Sequence, residues 1–177
     1  MYIVTGGAGL IGSAVVAALN ARGISNILVV DHLGSSDKWK NLAPLAYDDY
    51  LEKEEFREKL RKGDFGGGIE GVFHLGACSS TTERDASYLI DNNFRYTAEL
   101  AEFCIAKGIR MVYASSCATY GDGSKGYIDD DDRIEELRPM NMYGYSKQMF
   151  DLYAKRHNWL KKLVGCIFQR LWSQRAA

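Results

Sequence analysis

Short apolar runs alternate along the chain with longer segments in which apolar residues recur at helical spacing. Uninterrupted runs of this length are typical of buried strands, and the spaced pattern is typical of amphipathic helices. We predict strands at Tyr2–Thr5, Ile27–Asp31, Gly71–Leu75 and Met111–Ser115, and helices at about Leu10–Arg22, Glu54–Lys62, Asp85–Lys107 and from Tyr143 onward. Strands that alternate with helices and are apolar on both faces indicate an α/β fold, a doubly wound parallel sheet with crossover helices.

Three glycines, Gly6, Gly9 and Gly12, lie between the first predicted strand and the first predicted helix. In such a turn the first glycine permits a tight bend, the second lets the backbone approach a pyrophosphate, and the third lets the helix pack closely on the strand. Asp31 ends the next strand 19 residues after Gly12, near the spacing of about 20 found for a ribose-binding acid. This context favours a Rossmann-like dinucleotide-binding domain over a merely flexible turn.

The choice between NAD and NADP stays open on these residues. Asp31 favours a free ribose 2′-hydroxyl, hence NAD, because a 2′-phosphate would meet a like charge. Lys38 follows within a short loop and would neutralise such a phosphate.

Candidate catalytic residues follow the last predicted strand, in the segments "YASSCATYG" and "NMYGYSK". Tyr143 and Lys147 are four residues apart, so they are neighbours on one helix face. We expect the Lys147 ammonium to lower the pKa of the Tyr143 phenol, which makes the phenol a general base for an alcohol proton. Ser116 would hold the same substrate oxygen. The alternative is a solvated Tyr/Lys pair on a helix surface.

Composition and charge narrow the function further. The chain has 177 residues, of which 46% are hydrophobic and 25% charged, as in ordinary globular proteins. The net charge of −1 indicates neither nucleic acid nor an anionic membrane surface as a partner. The four cysteines form no CxxC pair and the three histidines lack metal-ligand spacing. We therefore expect no metal, no membrane segment and a reducing, cytoplasmic location.

Three smaller features receive structural interpretations. We expect His74 to be a strand residue near the cofactor rather than a ligand or base. Cys78 and Cys117 have no histidine partner in a nucleophile pattern, so they are interpreted as small packing residues. The segment "DDDDR" is expected to be a solvated loop.

The motifs resemble those of the extended short-chain dehydrogenase/reductases, in particular the NAD-dependent epimerase/dehydratase group. The resemblance rests on "TGGAGLIG", "HLGA", the serine before "TYG", and the YxxxK pattern. The stretches "GACSSTTE", "DNNFRYT" and "NMYGYSK" are most similar to nucleotide-sugar epimerases that act on an ADP-heptose. The similarity covers about residues 1–165.

This resemblance implies a tightly held NADP and an acid/base role for Tyr143. The implied cofactor-binding residues, beside the three glycines, are Leu10, Ile11, Asp31, His32, Lys38, Lys53, Leu75, Gly76, Ala77, Cys78, Ser79, Asn92 and Lys147. His32 departs from the asparagine usual at its position.

The resemblance also implies the reaction. Family members of this kind oxidise a sugar alcohol to a ketone, let the intermediate present its other face and return the same hydride, so the net redox change is zero. They are homo-oligomers as complete proteins. Two alternatives stay open: an inactive dinucleotide-binding fragment, and another nucleotide-sugar epimerase or dehydratase.

The tail departs from the family pattern. After "KKLVG" the family has a motif similar to "RYFNVYGP" and then a substrate domain, whereas this chain reads "CIFQRLWSQRAA". One possible coding of this tail, read from its second base, restores the missing motif. We therefore expect a dinucleotide-binding domain over residues 1–165, a non-native tail over residues 166–177 caused by a one-base frameshift, and the loss of most of the C-terminal substrate domain.

Overall fold

The computed structural model describes residues 1–168. Six parallel strands form one sheet in the order β3-β2-β1-β4-β5-β6. The strands are β1 (Tyr2–Thr5), β2 (Ile27–Asp31), β3 (Asp49–Glu52), β4 (Gly71–His74), β5 (Arg110–Ser116) and β6 (Leu163–Phe168). This is the strand order of the doubly wound dinucleotide-binding fold, so the predicted fold class is confirmed.

Helices cover both faces of the sheet. They are α1 (Leu10–Asn20), α2 (Trp39–Leu42), α3 (Lys53–Lys62), α4 (Ala86–Leu89), α5 (Tyr96–Lys107) and α6 (Met142–Arg156). A π-helical turn, Ile90–Arg95, joins α4 to α5, and short 3₁₀ helices span Cys117–Tyr120 and Asp131–Glu136. The predicted helix at Asp85–Lys107 is thus one run with a π-helical turn inside it, a feature frequent at functional sites.

The elements that the hydrophobic pattern missed are short or lie at an edge. Strand β3 has only one buried residue, Leu51, because it is an edge strand with polar neighbours. The segment expected to be a loop contains the 3₁₀ helix Asp131–Glu136, which has no buried residue. Its first turn forms because the Asp130 side chain accepts a hydrogen bond from the Asp132 N–H. The segment is therefore exposed, but it is helical rather than irregular.

Alternate residues of the central strands face two separate apolar layers. Ile3 and Val30 pack in the layer that contains α3, α5 and α6. Val4 and Val29 pack in the layer beneath α1. Because both faces are buried, the strands read as continuous apolar runs.

The sheet directs the carboxyl ends of all its strands to one edge. Strand order reverses between β1 and β4, and ligands of this fold bind in the crevice at such a reversal. The loops after β1, β2, β4 and β5 therefore border the crevice.

The predicted non-native tail overlaps the last strand. Residues Cys166–Phe168 continue β6, paired with Ala114–Ser116. The remaining residues, 169–177, lie outside the described part of the chain, so the frameshift stays a prediction. Within residues 1–168, none of the helices is both long enough and apolar enough to cross a membrane.

Candidate cofactor and catalytic site

The glycines after β1 have different neighbours. Gly6 has φ +67°, and a Cβ there would lie 2.6 Å from the amide nitrogen of Gly76. A Cβ on Gly12 would collide with the carbonyl oxygen of Gly6. A Cβ on Gly9 would lie 3.2 Å from the same carbonyl oxygen, its one close neighbour. Gly6 and Gly12 are thus required by the packing of the turn, whereas a Cβ on Gly9 would make a single tight contact.

The turn leads into an uncapped helix. Gly9 is the N-cap residue of α1, no side chain caps the helix, and its first turn contains no acidic residue. Leu10 is 85% exposed and Ile11 is 41% exposed. Free N–H groups at a helix N-terminus, together with the helix dipole, suit an anion such as a pyrophosphate.

Asp31 connects the turn to the loop after β2. Its Oδ2 accepts a hydrogen bond from the Ala8 N–H at 2.9 Å, and its Oδ1 accepts one from the His32 N–H at 2.7 Å. Lys38 Nζ donates to the same Oδ1 at 2.6 Å. The carboxylate is buried and ion-paired, so it is not a free acceptor facing the crevice.

Next to Asp31, a histidine and a glutamate pair at the end of the sheet. His32 Nδ1 lies 3.0 Å from Oε2 of Glu52, and the Tyr50 hydroxyl donates to Glu52 Oε1 at 2.7 Å. Burial raises the pKa of Glu52, but the hydrogen bonds from Tyr50 and His32 outweigh it and hold the pKa below its ordinary value. The His32 side chain is 75% exposed, so it remains accessible to a ligand.

The loop after β4 is fixed from two sides. The Gly76 N–H donates to Thr5 Oγ1 at 3.2 Å. The Cys78 N–H donates to Asn93 Oδ1 at 2.9 Å, and Asn93 Nδ2 donates to the Cys78 carbonyl at 3.0 Å. Asn93 Nδ2 also donates to Ser146 Oγ on α6 at 3.0 Å. Asn93 thereby joins the predicted cofactor loop to the helix of Tyr143 and Lys147.

His74 belongs to a buried hydrogen-bond chain. Its Nδ1 lies 2.7 Å from Thr5 Oγ1 and its Nε2 lies 2.8 Å from Thr97 Oγ1. Thr97 donates its own proton to the Asn93 carbonyl, so Nε2 carries the imidazole proton and Nδ1 accepts from Thr5. Burial and the nearby Lys147 lower the pKa of His74 to about 3. His74 is thus a neutral residue of the strand beneath the loop.

Lys53 and Asn92, both predicted to bind cofactor, lie together. Lys53 Nζ donates to Asn92 Oδ1 at 2.8 Å. Beside them, Arg57 forms paired hydrogen bonds to Asp91, at 2.7 and 3.1 Å, and to Glu99, at 3.0 and 2.9 Å. This ion-pair cluster connects α3 to the π-helical turn that places Asn92 and Asn93.

The predicted catalytic residues meet at the end of β5. Ser116 is the last residue of the strand, and its Oγ accepts a hydrogen bond from the Ala118 N–H at 3.2 Å. The Asn141 side chain caps α6 by accepting from the Gly144 N–H, so Tyr143 lies in the first turn of the helix. Burial raises the pKa of the half-buried Tyr143 phenol above its ordinary value, although the nearby Ser116 hydroxyl opposes this. The two hydroxyls are therefore adjacent.

The expected lowering of the Tyr143 pKa by Lys147 is wrong for this structure. Lys147 is buried, and its Nζ donates to the Ala114 carbonyl at 2.8 Å. Burial lowers the pKa of Lys147 to about 8, with Asp151 opposing the shift. Because the ammonium is directed toward the β5 backbone, desolvation decides the Tyr143 pKa instead.

The remaining predicted residues border the same crevice. Leu75, Gly76, Ala77 and Cys78 are half-buried and Ser79 is exposed. Sequence reasoning assigned no role to four residues that form hydrogen bonds to predicted site residues or to the segments that carry them: Thr5, Arg57, Asn93 and Asp151. Two of them had a sequence signal, since Thr5 belongs to "TGGAGLIG" and Asn93 stands beside Asn92 in "DNNFRYT".

Comparisons with known proteins agree with this geometry. A protein of Nitratidesulfovibrio vulgaris, ADP-L-glycero-D-manno-heptose-6-epimerase, is 52% identical over 95% of this chain and 52% of its own length. A protein of the same name from Fusobacterium nucleatum is 50% identical, with the same two coverages of 95% and 52%. The chain therefore spans about half the length of these relatives.

A solved structure has the same architecture. The dTDP-glucose 4,6-dehydratase of Streptomyces venezuelae, DesIV, with NAD and TYD bound, matches with a TM-score of 0.73 and 26% identity over 94% of this chain and 54% of its own. The model of the NAD dependent epimerase/dehydratase family matches residues 2–169. With this match over nearly its whole length, the chain belongs to the NAD dependent epimerase/dehydratase family.

Proposed function

We propose that this chain supplies the dinucleotide-binding and proton-transfer half of an ADP-L-glycero-D-manno-heptose-6-epimerase, an isomerase of lipopolysaccharide precursor synthesis. The reaction would convert ADP-D-glycero-D-manno-heptose to its L-glycero epimer by transient oxidation at C6″. The observation that supports this most is the identity of 52% and 50% to two relatives of that name. The adjacent hydroxyls of Ser116 and Tyr143 at the crevice agree with it.

The turn after β1 fits a dinucleotide. Gly9 has no side chain to stand between the backbone and a ligand, and the uncapped N-terminus of α1 follows directly. The residues that would hold the cofactor are the Gly6–Gly12 turn, Lys38, Lys53, the loop after β4 and Lys147. When bound, a nicotinamide dinucleotide supplies reversible hydride acceptance.

Within that choice, we propose NADP rather than NAD. Both carboxylate oxygens of Asp31 are already occupied by the Ala8 and His32 amides and by Lys38, which leaves less capacity to accept from a ribose 2′-hydroxyl. Lys38 neutralises Asp31, so the like-charge repulsion of a 2′-phosphate is reduced.

The proton-transfer roles follow from the surroundings of each side chain. The Tyr143 phenol, whose pKa is raised by burial, holds its proton at neutral pH and so can donate it to a ketone oxygen. In the oxidation direction the phenolate form takes the proton of the sugar alcohol, so the phenol must first release its own proton to solvent. Ser116 Oγ holds the substrate oxygen, and Lys147, whose ammonium donates to the Ala114 carbonyl, is assigned to holding the cofactor.

A second candidate is another sugar-nucleotide activity of the same family. It is favoured by the structural match to a dTDP-glucose 4,6-dehydratase. The chain covers only half of its relatives, so its own residues do not determine the sugar. A binding unit without turnover is the third possibility.

Mass spectrometry of the nucleotide released from the purified, denatured protein tests the cofactor assignment. We expect NADP in a ratio near one per chain. Release of NAD alone would contradict the NADP proposal, and failure to bind either dinucleotide on addition would contradict dinucleotide binding.

A chimaera tests the activity. Residues 1–168 of this chain would replace the matching half of the Nitratidesulfovibrio vulgaris relative, and epimerisation of the ADP-heptose would be followed by NMR. We expect turnover, and a decrease of about 10²- to 10⁴-fold in the Tyr143→Phe chimaera, the usual contribution of a general acid/base. A folded chimaera that binds NADP but leaves ADP-heptose unchanged would contradict the substrate assignment. The chain alone is assayed in parallel, to separate a binding unit from an enzyme.

A further inference from the structure

A buried carboxylate lies one helical turn beyond Lys147. Asp151 is on α6, four residues after Lys147 and eight after Tyr143, so all three share one face of the helix. Asp151 is 9% exposed and Lys147 is 6% exposed. The proposed proton transfer assigns no role to Asp151.

Hydrogen bonds hold both oxygens of this carboxylate against β5. The Tyr113 hydroxyl donates to Asp151 Oδ1 at 2.8 Å, and Ser115 Oγ donates to Oδ2 at 2.7 Å. On β6, a Cβ at Gly165 would lie 2.8 Å from the Tyr113 hydroxyl oxygen, so the neighbouring strand leaves room for the phenol. The carboxylate thus has a fixed position with donors on both sides.

The surroundings of Lys147 are otherwise poor in negative charge. Its ammonium donates to one neutral acceptor, the Ala114 carbonyl, and His74, on β4, is neutral. A buried ammonium without a nearby anion tends to lose its proton. Asp151 is the carboxylate that opposes this effect at Lys147.

Other charged groups reach Asp151 from the opposite side. A cavity of about 590 Å³ borders Asp151 and is lined by Asp129, Asp130 and Asp131. Burial is the main cause that raises the pKa of Asp151 to about 6, and Asp129 adds to it, whereas Ser115, Tyr113 and Lys147 lower it. At neutral pH the carboxylate is therefore charged, although it titrates near that range.

We propose that Asp151 is a positioning residue for Lys147: its carboxylate, held by Tyr113 and Ser115, keeps the buried ammonium charged and fixes α6 on β5, so that the ammonium stays at the Ala114 carbonyl. This inference rests on the proposed function only in the use that the enzyme would make of the Lys147 charge. The arrangement itself concerns two side chains of the free chain, so it is testable without substrate or cofactor.

The titration of Lys147 tests the proposal directly. The chain is labelled with ¹³C-lysine, and the Cε resonance of Lys147, assigned by Lys147→Arg, is followed against pH by NMR. In Asp151→Asn, which keeps the size and loses the charge, we expect the midpoint of Lys147 to fall by about one pH unit or more. An unchanged midpoint would overturn the proposal.

Ser115→Ala is the matched control. It removes one hydrogen bond to Asp151 but leaves the carboxylate. We therefore expect a loss of stability, without the fall of the Lys147 titration midpoint that is expected in Asp151→Asn. An equal fall in Ser115→Ala and Asp151→Asn would indicate a purely structural role and overturn the proposal.

A measurement on the unaltered chain covers the case in which Asp151→Asn does not fold. With the Asp151 carboxyl carbon also labelled, its ionisation should produce a second inflection, at the same pH, in the Lys147 Cε titration. A Lys147 curve with no such inflection would overturn the proposal. Because neither measurement involves cofactor or substrate, failure here is distinct from failure of the proposed function.

Discussion

The side-chain amide of Asn93 pairs with the backbone of Cys78 at both of its ends: the Cys78 N–H donates to Oδ1 at 2.9 Å, and Nδ2 donates to the Cys78 carbonyl at 3.0 Å. An asparagine at 1% exposure thus replaces the partners that a strand would give to this loop. The same Nδ2 also reaches Ser146 on α6. The loop after β4 and helix α6 therefore share one anchor.

Asn93→Ala should weaken dinucleotide binding. The substitution leaves the amide and carbonyl of Cys78 without their partner, which costs about 1–3 kcal/mol for a buried polar group. We expect the dissociation constant for NADP to rise by about tenfold or more, since about 1.4 kcal/mol corresponds to a factor of ten. Isothermal titration calorimetry measures this.

Asn20→Ala is the control for loop anchoring in general. Asn20 holds another loop by three hydrogen bonds, to the Ile24 and Ala46 carbonyls and from the Ala46 N–H, at the end of α1 far from the crevice edge. It should lose comparable stability without loss of NADP affinity. Equal losses of affinity in both variants would show that Asn93 acts only through global stability.

Gly9 and Gly12, at the start of α1, should respond differently to substitution. Gly9→Val places a side chain where we assign the pyrophosphate. The φ of −75° at Gly9 suits any residue, and the new Cβ would lie 3.2 Å from the Gly6 carbonyl oxygen. The variant should fold with a modestly lowered thermal midpoint and lose NADP binding. Gly12→Val, in contrast, should fold poorly because its Cβ collides with the Gly6 carbonyl. Normal NADP affinity in folded Gly9→Val would contradict the assignment.

The sequence predicted the central elements well because their signals are local and strong. Strand β2 is buried at every position, so "ILVVD" has no alternative as a surface loop. The order of strands and helices then determined the fold class. Strand β3 was missed because an edge strand with one buried residue lacks that signal.

The sequence suggested site residues whose role would be direct contact with a ligand, and it missed residues that support another residue. Gly9 and Tyr143 belong to motifs whose spacing has a direct chemical reason. Asn93 and Asp151 act through Cys78 and Lys147, and these pairs form only when the sheet brings distant segments together. The direction of the Tyr143 pKa was mispredicted for the same reason, since helix spacing does not tell where the Lys147 ammonium is directed.

Lys38→Ala should reduce the preference for NADP. Lys38 neutralises the buried Asp31 at 2.6 Å, and without it the carboxylate would repel a 2′-phosphate. We expect NADP affinity to fall by about tenfold or more and NAD affinity to change less, measured as the ratio of the two dissociation constants. Lys40→Ala is the matched control, because Lys40 pairs with Asp37 on the surface of the same loop. A fall of the same size for both cofactors would reject the phosphate role.

His74 should make the fold sensitive to acid. Burial keeps this histidine neutral, with its pKa lowered to about 3, whereas in the unfolded chain it titrates at about 6.5. Between these values the unfolded state takes up a proton that the native state does not, so stability decreases as pH falls, by about 1.4 kcal/mol per pH unit at most. Asp151 has the opposite effect, because its pKa is raised to about 6 in the native state. Between about pH 6 and 4 the native state binds the extra proton, so this residue increases stability as pH falls.

A pair of variants isolates the histidine. His74→Gln keeps a donor toward Thr97 and should be less stable than the native chain at pH 7, by about 1–3 kcal/mol for the disturbed buried hydrogen bonds. Its urea unfolding free energy should nevertheless fall less steeply between pH 6.5 and 4, as one proton fewer is bound on unfolding. Thr97→Val, which removes the hydroxyl but keeps the histidine, should lose stability and retain the native acid slope. If His74→Gln and the unaltered chain showed the same slope, the histidine would not be the buried neutral group that the Thr5 and Thr97 hydrogen bonds indicate.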